Sequence, residues 1–223
     1  MRLVLLGPPG AGKGSAAQVL SDQLGLVHIA SGHLLRDAVR AQTALGRQAD
    51  GYMQRGELVP DHLVTAMVLE QLEAVAKDRG FVLDGFPRTQ AQAVELDAAL
   101  GRMKMLMDRA IYFKTSPETI VSRLAGRRVC QSCGANYHMT NHPPAVADVC
   151  DRCHGTLAQR DDDKPETISQ RLKVCLRETE PLLGYYRERG VLRTVNGDES
   201  VEAVVRHVIA IWEREQLRFG ERR

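Results

Sequence analysis

Residues 7–15 have the sequence GPPGAGKGS and follow directly on an apolar run, LVLL, at residues 3–6. Four glycines, two prolines and one lysine form a loop that leaves its backbone amides bare and carries one cation. Glycines let backbone N–H groups turn inward around phosphate oxygens, and the positive end of a following helix attracts the same anion. The segment fits G-x-x-x-x-G-K between a strand and a helix, which is the context that a phosphate-binding loop requires. It predicts a nucleoside triphosphate site with Lys13 on the β- and γ-phosphates; a plain glycine turn with a solvated lysine is the weaker alternative.

The composition limits the class of protein. The chain has 223 residues, of which 43% are hydrophobic and 26% charged, and this suits one well-cored domain with a small insertion. A formal net charge of +2 is too small to indicate nucleic acid or an anionic membrane as the main partner. No segment approaches the ~20 apolar residues of a membrane span, and the first apolar run is too short for a signal peptide. We therefore expect a cytoplasmic location and no structural disulfides.

Short apolar runs alternate with helical patterns along most of the chain. Helical spacing of apolar residues continues after the loop to about Gln23, resumes behind Asp61 as a candidate helix cap, and forms a last stripe from Val201 to Trp212. The alternation predicts an α/β fold with a parallel sheet covered on both faces. Residues 129–159 break the pattern and are expected to form a separately built insert. Strands are predicted at residues 3–6, 26–29, 81–83, 111–113 and 191–195.

Four of the five cysteines lie in this insert with paired spacing. Cys130 and Cys133 form one C-x₂-C pair, Cys150 and Cys153 the other, and this arrangement is typical of a four-thiolate zinc site. Such a site is structural, because four thiolates leave no open position for water or substrate. Cys175 falls at helical spacing with apolar neighbours and is predicted to belong to the core. The alternatives are two disulfides, four free thiols, or a mixed ligand set that includes His138, His142 or His154.

Further motifs make the chain resemble the adenylate kinase family of nucleoside monophosphate kinases. The loop has Gly14 directly after its lysine, so that it ends in G-K-G-S. SGHLLR at residues 31–36 resembles the family's [ST]-G-D-x-L-R, and GELVPD at residues 56–61 resembles its monophosphate-side loop. LDGFPRTQAQ at residues 83–92 is similar to its signature strand end. The match covers nearly the whole chain in the right order.

The resemblance implies a monomeric enzyme that catalyses ATP + AMP ⇌ 2 ADP with Mg²⁺ and so keeps adenine nucleotides in balance. It also implies a P-loop type fold with a five-stranded parallel sheet. The core would comprise residues 1–29, 60–125 and 164–223. Residues 30–59 would form a monophosphate-binding arm, and residues 126–163 would form a lid that carries the metal site. Its expected partners are ATP, AMP and ADP, with no nucleic acid and no membrane.

The resemblance also assigns residues to the two nucleotides. Phosphoryl transfer joins two anions, so it depends on positioning and charge neutralisation, and arginine suits this because its planar fork grips phosphate and stays charged. The expected catalytic residues are Lys13, Arg88, Arg123, Arg160 and Arg171. The ATP-binding set is Gly10, Ala11, Gly12, Lys13, Gly14, Ser15, Arg123, Arg127, Asn136, Tyr137 and Glu199. The AMP-binding set is Ser31, Arg36, Glu57, Leu58, Val59, Gly85, Phe86, Pro87, Arg88, Gln92, Arg160 and Arg171. The metal ligands are Cys130, Cys133, Cys150 and Cys153 for structural zinc, and Asp84 for Mg²⁺ through water.

Three residues determine which roles implied by the resemblance apply to this chain. Gln92 is expected to recognise adenine, since its amide can both donate and accept, although a polar helix position without a ligand is the alternative. His33 stands where the family has Asp, so one acidic contribution to the magnesium water shell is missing or supplied elsewhere. Glu199 stands where some members have Lys near the adenine, and the change is harmless if the backbone carbonyl makes that contact.

Two other classes of function compete with this interpretation. A kinase for UMP or CMP is the nearest rival enzyme, and Gln92 and the long insert argue against it. A P-loop switch or a zinc-dependent interaction protein without turnover is the rival from another class, and the number of arginines argues against it. Residues 127–163 contain four arginines, five aspartates and no lysine, which gives no basic footprint for a nucleic acid. We expect instead a lid that excludes water from the triphosphate.

Overall fold

The computed structural model describes residues 1–75, 79–163 and 165–220. The predicted core segments also include residues 76–78, 164 and 221–223, which lie outside the described residues. The strands are β1 (Arg2–Leu6), β2 (Val27–Ala30), β3 (Phe81–Asp84), β4 (Arg109–Lys114), β5 (Arg127–Cys130), β6 (Asn136–His138), β7 (Leu157–Ala158) and β8 (Leu192–Asn196). The helices are α1 (Lys13–Leu24), α2 (Ser31–Arg40), α3 (Ala44–Gln54), α4 (Asp61–Val75), α5 (Gln90–Arg102), α6 (Pro117–Ala125), α7 (Pro165–Glu188) and α8 (Val201–Gly220), with a 3₁₀ turn at Asp161–Asp163.

The central sheet has five parallel strands in the order β2-β3-β1-β4-β8. This confirms the predicted α/β class and the five-stranded parallel sheet. All five predicted strands form, with bounds displaced by a residue or two; the run at residues 26–29, for instance, becomes Val27–Ala30. In open sheets of this kind, ligands bind outside the carboxyl ends of the strands, where the order of strands reverses. The glycine loop follows β1, the middle strand, and therefore lies at that point.

Helices cover both faces of the sheet, and each face has its own core. Side chains alternate along β1, so Val4 and Leu6 pack with α2, α3, α4, α5 and α7. Leu3 and Leu5 point the other way and pack with α1 and α8. The predicted stripe of α8 is confirmed, because its central valines are buried in the second cluster. None of the described helices combines the length and apolar character that a bilayer crossing requires.

The insert has its own small sheet and its own core. Strands β6, β5 and β7 pair antiparallel in that order. The sequence predicted a separate unit here but not these strands, because segments of two to four residues are too short to show a period. Metal binding would supply stability that so small a core does not provide. The buried residues of the insert are Cys130, Ala135, Tyr137, Cys150 and Leu157.

Two predictions about helix positions are wrong. Asp61 is the first residue of α4 rather than its cap, and its carboxylate accepts hydrogen bonds from Thr89 Oγ1 and Gln92 Nε2 instead. Cys175 is half-buried on α7 and lies outside the core clusters, with its sulfur 3.3 Å from Thr179 Oγ1. The neighbouring Leu176 is 70% exposed. Local spacing could not reveal which turns of a 24-residue helix would be covered.

Candidate active site

The glycine loop between β1 and α1 has the backbone shape that its sequence predicts. Gly7, Gly10 and Gly12 all have positive φ, and Gly12, with φ of 91°, is the N-cap of α1. A Cβ atom on Gly10 would lie 2.9 Å from Leu124 Cγ and 3.1 Å from the carbonyl oxygen of Ile120. Glycine is therefore required both by the conformation and by the close approach of α6.

Lys13 folds back across this loop. Its ammonium donates to the carbonyl oxygens of Gly7 at 2.7 Å and Pro8 at 2.8 Å. Burial lowers its pKa to about 8, although the charge of Asp84 opposes the shift. The cation is therefore held at the start of α1, where a phosphate group would lie, and a bound anion would raise this pKa again.

Asp84 ends β3 beside the glycine loop. A Cβ atom on Gly14 would lie 3.1 Å from Asp84 Oδ2, so the glycine after the lysine leaves the carboxylate room to approach. Burial favours the neutral acid, but His28 and the charge of Lys13 outweigh it and hold the pKa of Asp84 below its usual value. The carboxylate is therefore ionised at neutral pH. An ionised carboxylate at a phosphate loop fits the water shell of Mg²⁺.

His33, which replaces the family's Asp, is uncharged at neutral pH. Burial and the nearby charges of Arg36 and Arg160 lower its pKa to about 4. The residue therefore supplies no negative charge to a cation, but it does not repel one either.

The segment after β3 is tied to the start of α2. Ser31 Oγ donates to the carbonyl oxygen of Gly85 at 2.6 Å, and Arg88 Nε donates to the same oxygen at 2.8 Å. Gly85 has φ of 73°, and a Cβ atom there would lie 2.9 Å from Ser31 Oγ. Phe86 and Pro87 are buried, and the bond between them is cis. Their side chains support the turn that presents Arg88 rather than facing the cleft.

Gln92 is 2% exposed, and its amide already has protein partners. Its Oε1 accepts from the backbone N–H of Arg88 at 2.7 Å, and its Nε2 donates to Asp61 Oδ1 at 2.7 Å. A primary amide has two N–H donors and two acceptor lone pairs, so one of each is left for a ligand. Recognition of adenine by Gln92 stays a prediction.

Arginines from separate elements lie close enough to affect one another. Burial and the nearby charges of Arg127 and Arg171 lower the pKa of Arg36 to about 10, although Asp162 opposes the shift. Burial, with the charges of Arg127 and Arg36, likewise lowers the pKa of Arg160. Guanidinium groups nevertheless stay charged at neutral pH. A cluster of mutually repelling cations is the arrangement that a polyanion would stabilise.

Two aspartates partly neutralise this cluster. Arg127 donates to both carboxylate oxygens of Asp163, with Nε 2.7 Å from Oδ2. Arg171 Nη1 lies 3.0 Å from Asp163 Oδ1 and 3.0 Å from Asp162 Oδ2. In the sequence these aspartates entered only into the charge balance of residues 127–163. The signal that could have identified their role was the burial cost of charge, since arginines gathered in one cleft need counter-charges.

Arg123 joins the glycine loop to the turn after β8. Its Nη1 donates to the carbonyl oxygens of Gly197 at 2.6 Å and Ala11 at 3.4 Å, and its Nη2 donates to that of Glu199 at 3.0 Å. The side chain of Glu199 points elsewhere, with Oε2 3.3 Å from His207 Nδ1. The backbone carbonyl of Glu199 therefore faces the loop, which fits a contact that does not depend on the side chain.

Two adjacent predicted site residues of the insert lie in different surroundings. Asn136 Oδ1 accepts from Arg160 Nη2 at 2.9 Å. Tyr137 is 5% exposed in the core of the insert, where its hydroxyl lies 3.5 Å from Cys150 Sγ and accepts from the backbone N–H of Asp151 at 2.8 Å. The ring of Tyr137 therefore does not face the cleft, and an ATP contact could come only from its backbone.

The remaining predicted residues differ in how far they are exposed. Ser15 is exposed on the first turn of α1. Glu57 pairs with Arg55, whose Nη2 lies 2.8 Å from Glu57 Oε2. Leu58 is half-buried and Val59 is buried in the core against α4. Of the three AMP-binding residues predicted in this loop, Glu57 and Leu58 are partly exposed and Val59 is buried.

The four insert cysteines form a compact group. All four sulfurs lie within 4.8 Å of one another, with Cys130 and Cys153 at 3.4 Å and Cys133 and Cys150 at 3.6 Å. A disulfide has its sulfurs about 2.05 Å apart, whereas a tetrahedral zinc with bonds of about 2.3 Å separates them by about 3.8 Å. The geometry fits a zinc ion and does not fit disulfides. Within the part of the chain that the structure describes, no histidine joins this group.

Known proteins resemble this chain over nearly its full length. The family model for adenylate kinase matches residues 5–191. A protein named adenylate kinase from Thermodesulfovibrio yellowstonii is 48% identical over 214 residues, which is 96% of this chain and 100% of the relative. A protein of the same name from Archaeoglobus fulgidus is 45% identical over 214 residues, covering 96% and 99% of the two chains. Together with the parallel sheet and the glycine loop, these matches show that the chain belongs to the adenylate kinase family of phosphotransferases.

Proposed function

We propose that the protein transfers the γ-phosphoryl group of ATP to AMP and so forms two molecules of ADP. The observation that carries this proposal is that Lys13 and Arg88 both lie close enough to Asp84 to lower its pKa, with Arg36, Arg160 and Arg171 close by. One nucleotide needs far fewer cations than this. Two phosphorylated ligands held end to end would need about this number.

The chemistry asks for little covalent help from the protein. A phosphate oxygen of AMP is already a nucleophile, so catalysis consists of alignment and neutralisation of charge as the phosphoryl group moves. We assign the β- and γ-phosphates of ATP to Lys13 and the loop amides, and the AMP phosphate to Arg36 and Arg88. Arg123, Arg160 and Arg171 then balance charge around the transferring group. Gln92 would hold the adenine of AMP with its remaining donor and acceptor.

Two metals complete the proposal. Mg²⁺ bound with ATP would supply positive charge to the phosphate that is transferred, and Asp84 would hold it through water. Zinc on Cys130, Cys133, Cys150 and Cys153 would be structural. We further propose that residues 30–59 act as the monophosphate-binding arm and residues 126–163 as the lid. Contacts between the two support this, since Arg40 Nη1 lies 3.4 Å from the carbonyl oxygen of Ser132.

Steady-state assays with ATP and each of AMP, GMP, CMP and UMP test the proposal. We expect AMP to be phosphorylated with a kcat/KM at least about 100-fold above that of CMP or UMP, because a site built to hydrogen-bond one base rejects another strongly. Comparable values for a pyrimidine monophosphate would assign the protein to another substrate. ATP binding without turnover of any monophosphate would instead favour a switch or an interaction protein.

A further inference from the structure

His28 lies beside Asp84 on one face of the sheet. It pairs in register with Val82 of β3, and because side chains alternate along a strand, His28, Val82 and Asp84 share that face. Nε2 of His28 is 3.9 Å from Oδ2 of Asp84. This separation is about 1 Å longer than a hydrogen bond. A small rotation of either side chain would therefore close the gap.

The Nε2 atom of His28 is shielded from solvent and makes no hydrogen bond to any residue that the structure describes. Leaving such a group without a partner is unfavourable. The carboxylate of Asp84 is mostly buried as well, with its side chain 20% exposed against 15% for His28. Two shielded polar groups that face each other favour a direct contact.

His28 also lines a cavity of about 150 Å³ at the edge of the sheet, together with His33 and Leu34 of α2 and Gln71 of α4. Since β2 is an edge strand, the imidazole is not confined on that side by another strand.

We propose that His28 is a positioning residue for Asp84. In the nucleotide-bound enzyme its Nε2–H donates to the carboxylate of Asp84 and fixes the orientation in which Asp84 meets the waters of the magnesium ion. The inference rests on the proposed function, because it requires Asp84 to hold that metal. Hydrogen bonds of this kind are often long without ligand and shorten in the complex. Partners that orient a metal-binding group typically change metal affinity 10–100-fold when they are removed.

Three substitutions at position 28 distinguish a hydrogen-bond donor at the depth of Nε2 from a side chain that is polar but too short. His28→Gln places an amide N–H close to where the imidazole Nε2 lies, whereas His28→Asn keeps the amide but stops at the depth of Nδ1. His28→Leu keeps bulk without a donor. The readout is the affinity of Mn²⁺ for the enzyme bound to a non-hydrolysable ATP analogue, followed by electron paramagnetic resonance. We expect roughly tenfold weaker Mn²⁺ binding for Asn and Leu, and near wild-type binding for Gln.

Two further variants identify the cause of any loss. Gln71→Leu changes the same cavity from α4 and should leave Mn²⁺ affinity unchanged. In an Asp84→Ala background, His28→Asn should cause no further loss, because its effect acts through the missing carboxylate. Circular dichroism and thermal unfolding establish that each variant is folded. If His28→Leu does not fold, the comparison of Gln with Asn still decides the question.

The possible results separate this inference from the proposed function. If Asp84→Ala leaves Mn²⁺ affinity unchanged, Asp84 does not hold the metal and its assigned role fails together with that of His28. If Asp84→Ala weakens binding but Asn and Gln at position 28 behave alike, only the inference about His28 is overturned. If His28→Asn weakens Mn²⁺ binding equally with and without the Asp84 side chain, the inference about His28 is also overturned.

Discussion

Arg127, in the first strand of the insert, donates hydrogen bonds to both carboxylate oxygens of Asp163, in the turn that closes the insert. Asp163 is 1% exposed, and it also accepts from Arg171 of α7. One buried carboxylate thus joins the two ends of the insert to the following helix. These hydrogen bonds also fix the separation between Arg127 and Arg171, two arginines that we assign to nucleotide binding.

We expect Asp163→Asn to destabilise the fold, because the substitution removes the charge that compensates two partly buried cations. Breaking a buried ion pair costs about 3–5 kcal/mol, and a loss of about 3 kcal/mol would lower the melting temperature of a chain of this size by roughly 6–12 °C. The control is Glu178→Gln, which breaks the exposed pair with Arg177 and should cost less than about 1 kcal/mol. Equal melting temperatures for the two variants would show that Asp163 is not an anchor.

Lys13→Met and Arg88→Met should each lower kcat by roughly 10²–10³-fold while the protein stays folded. The reason is that each charge stabilises a transferring phosphate in a site shielded from water, where one such contact contributes about 3–4 kcal/mol. Lys173→Met and Arg102→Met remove exposed cations from α7 and α5 and serve as matched controls. Near-normal turnover in either test variant, with unchanged circular dichroism, would show that the charge is not catalytic.

ATP binding should be coupled to proton uptake above pH 8. Burial lowers the pKa of Lys13 to about 8, so the free enzyme loses this proton as the pH rises through that value, and a bound phosphate restores it. ATP affinity should therefore fall from pH 8 upward. In the same range Lys13 adds to the free energy of unfolding as the pH rises, because the unfolded chain binds more protons. Calorimetry at pH ~8.5 in two buffers of different ionisation enthalpy measures the uptake. If Lys13→Met takes up as many protons as the wild type, the assignment is wrong.

The insert should bind about one metal ion per chain, as expected for one four-thiolate site, and zinc is the expected ion. Mild chelation with a thiol reductant should lower the melting temperature more than the rate measured in the cold, because metal binding stabilises a segment that has little core. Cys150→Ser should have the same effect, whereas Cys175→Ser, outside the site, should leave metal content unchanged. A metal-free protein that is equally heat-stable but inactive would place the ion in the mechanism.

Much of the fold could be predicted because its signals are local. The glycine loop, the apolar runs and the paired cysteines each reflect a backbone or ligand requirement that a few consecutive residues satisfy. The errors come from contacts between distant segments. Asp61 has the residue type of a cap, but Thr89 and Gln92 lie 28 and 31 residues away and take its oxygens. A separate point is that strand alternation turns the ring of Tyr137, next to Asn136, into the core of the insert, and its contact with ATP stays a prediction.

Direct transfer of phosphate from ATP to AMP can be followed with an isotope. ATP labelled with ³²P at the γ-phosphate is incubated with unlabelled AMP and Mg²⁺, and the products are separated. We predict that the label appears at the β-phosphate of ADP, that two ADP form for each ATP consumed, and that little inorganic phosphate is released. Label recovered mainly as inorganic phosphate, or unlabelled AMP left unconsumed, would contradict the account.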